Sequence, residues 1–224
     1  MDISQAQLVA TRGGLHRVAE HLLAGDLWRR TRKIGLRATG NGFGQPETLV
    51  DGVRRRVRID GDALVVLDGD SERWTPLTSL AAAAAFAGCE LGAPLGLYQA
   101  ETSAEADDSL SVDPECAHLL GDCFHRAAAA LESFRSANRA AHPSLAQVWP
   151  EHFDLAASFA DINFGMSPGD AGHETPYLYV GPWVPPAMDE YWNRPFGALT
   201  AFDQSMDAAD IVAFWNDGLR RLHP

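Results

Sequence analysis

Between Trp149 and Trp183 the chain reads WPEHFDLAASFADINFGMSPGDAGHETPYLYVGPW and gathers most of its side chains able to do chemistry: Glu151, His152, Asp154, Asp161, Asp170, His173, Glu174, Tyr177 and Tyr179. Residues two apart share a face of a strand. The alternation from His152 to Phe159 therefore predicts a strand with His152, Asp154, Ala156 and Ser158 on one face and Phe153, Leu155, Ala157 and Phe159 on the other. Tyr177 to Trp183 divides the same way, with Tyr177, Tyr179, Gly181 and Trp183 opposite Leu178, Val180 and Pro182. If the two segments pair as antiparallel neighbours, His152 and Asp154 lie beside both tyrosines. Trp149, Tyr177, Tyr179 and Trp183 then supply aromatic walls, the composition of a small-molecule pocket. A solvated sheet face on which His152 and Asp154 bond each other is the plainer alternative.

Two chemistries fit those residues. His152, Asp154 and His173 are the residue set of a two-histidine, one-carboxylate site that would hold a divalent metal and leave positions open. Without metal, Asp154 would orient His152 as general base, and Glu174 or Tyr177 would donate the proton, since imidazole titrates near neutral pH. Other motifs fail on physical grounds. Gly165-Met166-Ser167-Pro168-Gly169 matches the GxSxG nucleophile elbow, but Pro168 lacks the N–H that an oxyanion hole needs there, so a turn is expected. In CAHLLGDCFH the helical period sets Cys116 and Cys123 on one face and His118 and His125 well round from them, which predicts buried thiols and no ligand set. The glycines of Gly40–Glu47 precede a strand-like stretch and not a helix, against a phosphate cradle.

The elements that must position these groups read as follows. Ser4–Leu23 is amphipathic at helical spacing, with Gly13 and Gly14 expected to break it and Gly25 to stop it. Lys33–Thr39 alternates as a strand. Val53–Ile59, ALVVL and Glu72–Leu77 form a meander turned at Asp60-Gly61 and Asp68-Gly69. Thr78–Ala87 is a short helix capped near Ser79 and ended by Gly88. The acidic stretch at about 99–110 is a mobile loop. Asp113-Pro114-Glu115 opens a long helix to about Ala140, Phe196–Phe202 is a last strand, and Asp207 caps a closing helix.

A net charge of −12, with 6 basic against 20 acidic residues after Thr75, opposes binding to nucleic acid. No apolar run is long enough for a membrane span and the amino terminus has no leader pattern, so the reading is an acidic cytoplasmic protein with no membrane partner. Three cysteines, none in a CxxC pair, give no disulfide framework.

The FDLAASF, INFGMSPGD and TPYLYVGPW segments, with the closing FGALTAFDQSMDAADIVAFWNDGLRRL, resemble a bacterial, actinobacterial-type family known only as a domain of unknown function. The resemblance spans most of the chain and implies one domain without implying an activity. The expectation is thus a single α+β domain over residues 1–224, an antiparallel twisted sheet of about six to eight strands covered by the long central helix and the terminal helices. Two functions follow: a small-molecule-binding protein, with or without catalysis, or an interaction module, including a homodimer, that presents Trp183, Tyr191 and Trp192 as an aromatic patch.

Overall fold

The protein is described by a computed structural model covering residues 3–223. It is an α+β protein with two antiparallel sheets, where the sequence suggested one. The chain divides into two compact units. The first comprises residues up to Asp122 with Val148–Phe153, the second Cys123–Gln147 with everything from Asp154 onward.

The first unit is organised on a helix that is buried all round from Val18 to Leu27. α1 (Gln5–Val18) is capped by Ser4, whose hydroxyl accepts from the Gln7 N–H, and it runs through a π-helical segment (Ala19–Ala24) into α2 (Gly25–Thr31). Gly13 and Gly14 do not break α1, and Gly25 does not end it. Gly14 and Gly25 serve close packing, because a Cβ at either would collide with the carbonyl oxygens of Leu110 and Gly92 respectively. Against this helix lies a six-stranded sheet in the order β1 (Arg37–Thr39), β2 (Gly42–Gly44), β4 (Val53–Asp60), β5 (Ala63–Asp68), β6 (Ser71–Pro76), with β3 (Thr48–Val50) also on β4. The expected meander is present. Val57 pairs with Val66 and Ile59 with Leu64, and the Gly61 turn between them takes a φ of 60° that glycine adopts without strain. α3 (Leu80–Ala87) is capped by Ser79 and closed by Gly88, as the sequence indicated.

The long helix α4 (Pro114–Ala137) opens with the Asp113 carboxylate accepting from the Cys116 N–H at 3.0 Å. Cys116 and Cys123 are buried thiols, as the helical period indicated. In the second unit the strands run β11 (Ala198–Ala201), β10 (Tyr177–Pro182), β9 (Ile162–Ser167), β8 (Asp154–Phe159), with β7 (Gln147–Trp149) at the passage between the units. The inner face of this sheet packs Phe159 and Phe164 against Phe134 of α4, and Trp215 of the closing helix α5 (Ala208–Leu222) meets Phe134 at 5.7 Å. Asp207 caps α5 through the Ala209 and Asp210 N–H groups.

Two expectations about the central stretch need correcting. β8 begins at Asp154, because Phe153 takes a φ of 50°, which breaks the strand alternation before His152 is reached. Nor are β8 and β10 neighbours: β9 lies between them and pairs with both.

Candidate functional site

The outer face of the second sheet holds Asp154, Ala156 and Ser158 from β8, Asn163, Gly165 and Ser167 from β9, and Tyr177, Tyr179 and Gly181 from β10. Asp154, Tyr177 and Tyr179 thus share the face their spacing predicted, but two strands apart. Gly165 closes the gap. Opposite it in register stand Ala156 and Tyr179, and with no side chain on Gly165 the Tyr179 phenol lies over β9 and donates its hydroxyl to Asp154 Oδ2. Tyr177 donates to Asp170 Oδ2 at 2.5 Å, and Asp170 Oδ1 accepts from the Gly172 and His173 N–H groups, so Asp170 binds its own loop to the strand. Burial, then the neighbouring aspartate, pushes both phenols to higher pKa, and neither supplies a phenolate near neutral pH. His173 packs edge-on against Tyr177 at 5.3 Å, Glu174 is exposed, Trp183 is 66 % exposed and Trp149 is half-buried on β7.

His152 belongs to the first unit. Its exposed imidazole donates from Nδ1 to Glu101 Oε1 at 3.2 Å, so the proposed pairing with Asp154 is replaced. Among the described residues no three His, Cys, Asp or Glu side chains are arranged to hold a metal ion, and the His152, Asp154, His173 set does not converge.

The pair His152–Glu101 stands at the edge of a group that sequence reasoning missed. Glu20, in the π-helical segment, is fully buried: one oxygen accepts from the Glu101 N–H at 3.1 Å, the other from the Thr102 N–H at 2.8 Å and the Thr102 hydroxyl at 2.6 Å. His21, 3 % exposed, donates from Nε2 to the Thr102 carbonyl at 2.9 Å, and its buried Nδ1 has no hydrogen-bond partner among the described residues. His16 donates to the Pro150 carbonyl at 2.8 Å, stacks on Phe153 and lies 3.8 Å from Glu20. These contacts pin the stretch that the sequence suggested was mobile, and Arg17 adds another to the Ser103 carbonyl.

Tyr98 and Glu151 complete the group. Tyr98 Oη and Glu151 Oε2 are both buried without a hydrogen-bond partner among the described residues. Burial raises the pKa of each, and the charges sit close enough to act on one another: Glu20 and Glu151 raise Tyr98 further, while Glu20 and Glu101 raise Glu151 against the pull of His152. Burial holds His16 below its usual imidazole range despite Glu20. Three carboxylates, a phenol and a neutral imidazole therefore meet beside a π-helical segment, a distortion often found at functional sites. The signal in the sequence is Glu20-His21 inside the otherwise apolar run from Val18 to Gly25, where only a paired polar group is tolerated.

Among the described residues no helix is long and apolar enough to cross a membrane. No family model, curated protein or solved structure matches the chain, so the likeness noted from the sequence carries no functional argument.

Proposed function

We propose that the protein binds a small cationic molecule, of the amine class, at the Glu20, Tyr98 and Glu151 group of the first unit. The observation that carries this is the pair of orphaned buried oxygens, Tyr98 Oη and Glu151 Oε2. A buried polar atom without a partner costs on the order of 1–3 kcal/mol, a cost that a ligand donating hydrogen bonds to both oxygens would offset. Charge sets the sign: the group gathers the carboxyl groups of Glu20, Glu101 and Glu151, while burial holds His16 toward its neutral form. A bound ammonium group would favour the ionised Glu151 against the burial that raises its pKa, so binding at a pH where the free carboxyl is protonated releases a proton. In a catalytic version of this reading Glu151, with its raised pKa, takes the base role that the sequence suggested for His152. Asp154, Tyr177 and Tyr179 become supporting structure, since each phenol's donor is committed to its own aspartate.

Native mass spectrometry of untagged protein would reveal a co-purified ligand, and calorimetry with short primary amines in buffers of different ionisation enthalpy would count the released proton. Glu151→Gln should weaken amine binding by about tenfold or more and abolish the proton release. Absence of amine binding, or binding indifferent to both Glu151→Gln and Tyr98→Phe, would reject the reading.

One observation favours the interaction module as a second reading. Trp183, Val184 and Met188, between β10 and β11, are 66 %, 84 % and 64 % exposed. Trp192, expected to join that patch, is instead buried edge-on against Tyr191 at 4.8 Å. Light scattering across a concentration series tests this version, which requires a dimer that Trp183→Ala dissolves.

A further inference from the structure

We propose that a basic hollow at one end of the first sheet binds the carboxylate group of a small organic acid. The inner face of that sheet carries Val57 and Ile59 on β4 and Leu64 and Val66 on β5, all buried. Continuing the alternation two residues outward on each strand brings Arg55 and Asp68, which pair with each other in register, while Arg73 stands opposite Val66 on β6. The apolar face thus ends in charge. Facing these groups is the last turn of α3, whose Phe86 and Ala87 carbonyls accept from Arg73 and Arg55 respectively. Between the sheet, α3 and α2 lies an open hollow of about 410 Å³, lined also by Asp26, Arg30, Val50 and Val53.

Pairing within the hollow is unequal. Arg30 is closed off: its Nε and Nη2 donate to Asp26 Oδ2, its Nη1 to Thr48, and its Nη2 also to the buried Gln45 amide oxygen. Arg30 and Asp26 form a neutral pair. Arg55 and Arg73 share the one remaining carboxylate, with Arg55 Nη1 at 2.5 Å from Asp68 Oδ1 and Arg73 Nη2 at 3.6 Å from Asp68 Oδ2. Three guanidinium groups against two carboxylates leave one positive charge in excess, on a chain of net charge −12. Arg73 is 43 % exposed and Asp68 39 %, so solvent reaches the shared pair.

The excess selects the ligand. A monoanion cancels one positive charge, whereas a phosphate dianion would overshoot it inside an acidic protein. Guanidinium forks match the two oxygens of a carboxylate. Val50 and Val53 give its apolar body a wall. Asp68 is in this account an internal competitor: it occupies the donors that the ligand's carboxylate would take.

The test is calorimetry of the full chain with butyrate at low ionic strength, where screening is least. Asp68→Asn removes the competitor and should bind butyrate about tenfold more tightly than the parent, and Arg73→Gln about tenfold more weakly. Arg54→Gln, on the opposite face and paired with Asp70, should bind like the parent. Because Arg55→Gln risks the packing around α3, the exposed Arg73 carries the test. No heat of binding in either the parent or Asp68→Asn, parent-like binding by Arg73→Gln, or inorganic phosphate bound more tightly than butyrate would each overturn the proposal. None of these outcomes bears on the amine reading, which concerns other residues and a ligand of opposite charge.

Discussion

Tyr179 reaches Asp154 across an intervening strand, and it does so because Gly165 leaves the path empty. A Cβ on residue 165 would stand 2.6 Å from Tyr179 Oη and closer still to the Leu155 carbonyl oxygen. The first atom belongs to a side chain that could swing, the second to backbone that cannot. Gly165→Ala should therefore lower stability by about 2–4 kcal/mol, the range of overpacked core positions that also lose a buried hydrogen bond. Tyr179→Phe removes only the donor to a carboxylate and should cost about 1.5–3 kcal/mol. Urea unfolding of both variants checks the order: Gly165→Ala as stable as the parent would mean that the phenol does not lie over β9.

The turn between β8 and β9 makes an opposite prediction. Ala160 and Asp161 have φ of 52° and 58°, the left-handed values of a type I′ hairpin turn, without the glycine such turns usually carry. An alanine held there is strained by roughly 1 kcal/mol, and glycine is not. Ala160→Gly should raise stability by about 0.5–1 kcal/mol despite the greater freedom it gives the unfolded chain. Thermal unfolding at fixed pH gives the sign directly, and a lowered midpoint would contradict the assigned turn.

The same turn explains what could and could not be read from the residues. The meander of the first sheet was legible because Asp60-Gly61 and Asp68-Gly69 announce their turns, and α4 because Asp113-Pro114 announces its start. β9 was not legible. Its hairpin signal is Ala160-Asp161, which lacks the glycine that marks such a turn, so the His152–Phe159 and Tyr177–Trp183 segments read as neighbours when Leu155 and Leu178 in fact both pair with Met166 of β9. Gly13, Gly14 and Gly25 were read as helix breakers; for Gly14 and Gly25 the real use lies in contacts to Leu110 and Gly92, which are far away in sequence. The Tyr179–Asp154 face was legible from alternation, and the loss of His152 from it was not, because nothing in HFD marks the positive φ of Phe153. The glutamate group of the first unit joins residues from three distant segments, around 20, 98 and 151, and local periodicity carries no information about such convergence.

Acid–base linkage in that group has two arms of opposite sign. Burial holds the His16 imidazole below its ordinary 6.5. Between that lowered value and 6.5 the unfolded chain binds a proton that the folded chain refuses, so stability falls as pH falls through the window. Burial holds the Glu151 carboxyl above its ordinary 4.5. There the folded chain keeps a proton that the unfolded chain has lost, so stability falls as pH rises from 4.5 through the folded value. Urea midpoints from about pH 4 to about pH 8 should show His16→Gln flattening the first slope while keeping its donor to the Pro150 carbonyl. Glu151→Gln should gain on the parent as pH rises. Parallel profiles for parent and both variants would show that neither group is buried as described.

Glu20 sets how firmly the acidic stretch is held. Its two oxygens accept from the Glu101 N–H, the Thr102 N–H and the Thr102 hydroxyl, and it has no exposed surface. Glutamine keeps the shape but has one acceptor where glutamate has two, so Glu20→Gln must set its amide nitrogen against one of those donors. A hydrogen bond to a charged partner contributes about 1.5–3 kcal/mol, which corresponds to a loss of roughly ten- to hundredfold in amide protection where opening is local. Hydrogen exchange followed by NMR should show that loss at Glu101 and Thr102, while the Ala63–Asp68 strand of the first sheet keeps its protection. Glu151→Gln serves as the control, since Glu151 holds neither of these amides and should leave both protected. Unchanged exchange at Thr102 in Glu20→Gln would mean that His21 and Arg17 alone hold the stretch, and Glu20 would then be a buried carboxylate kept for its charge.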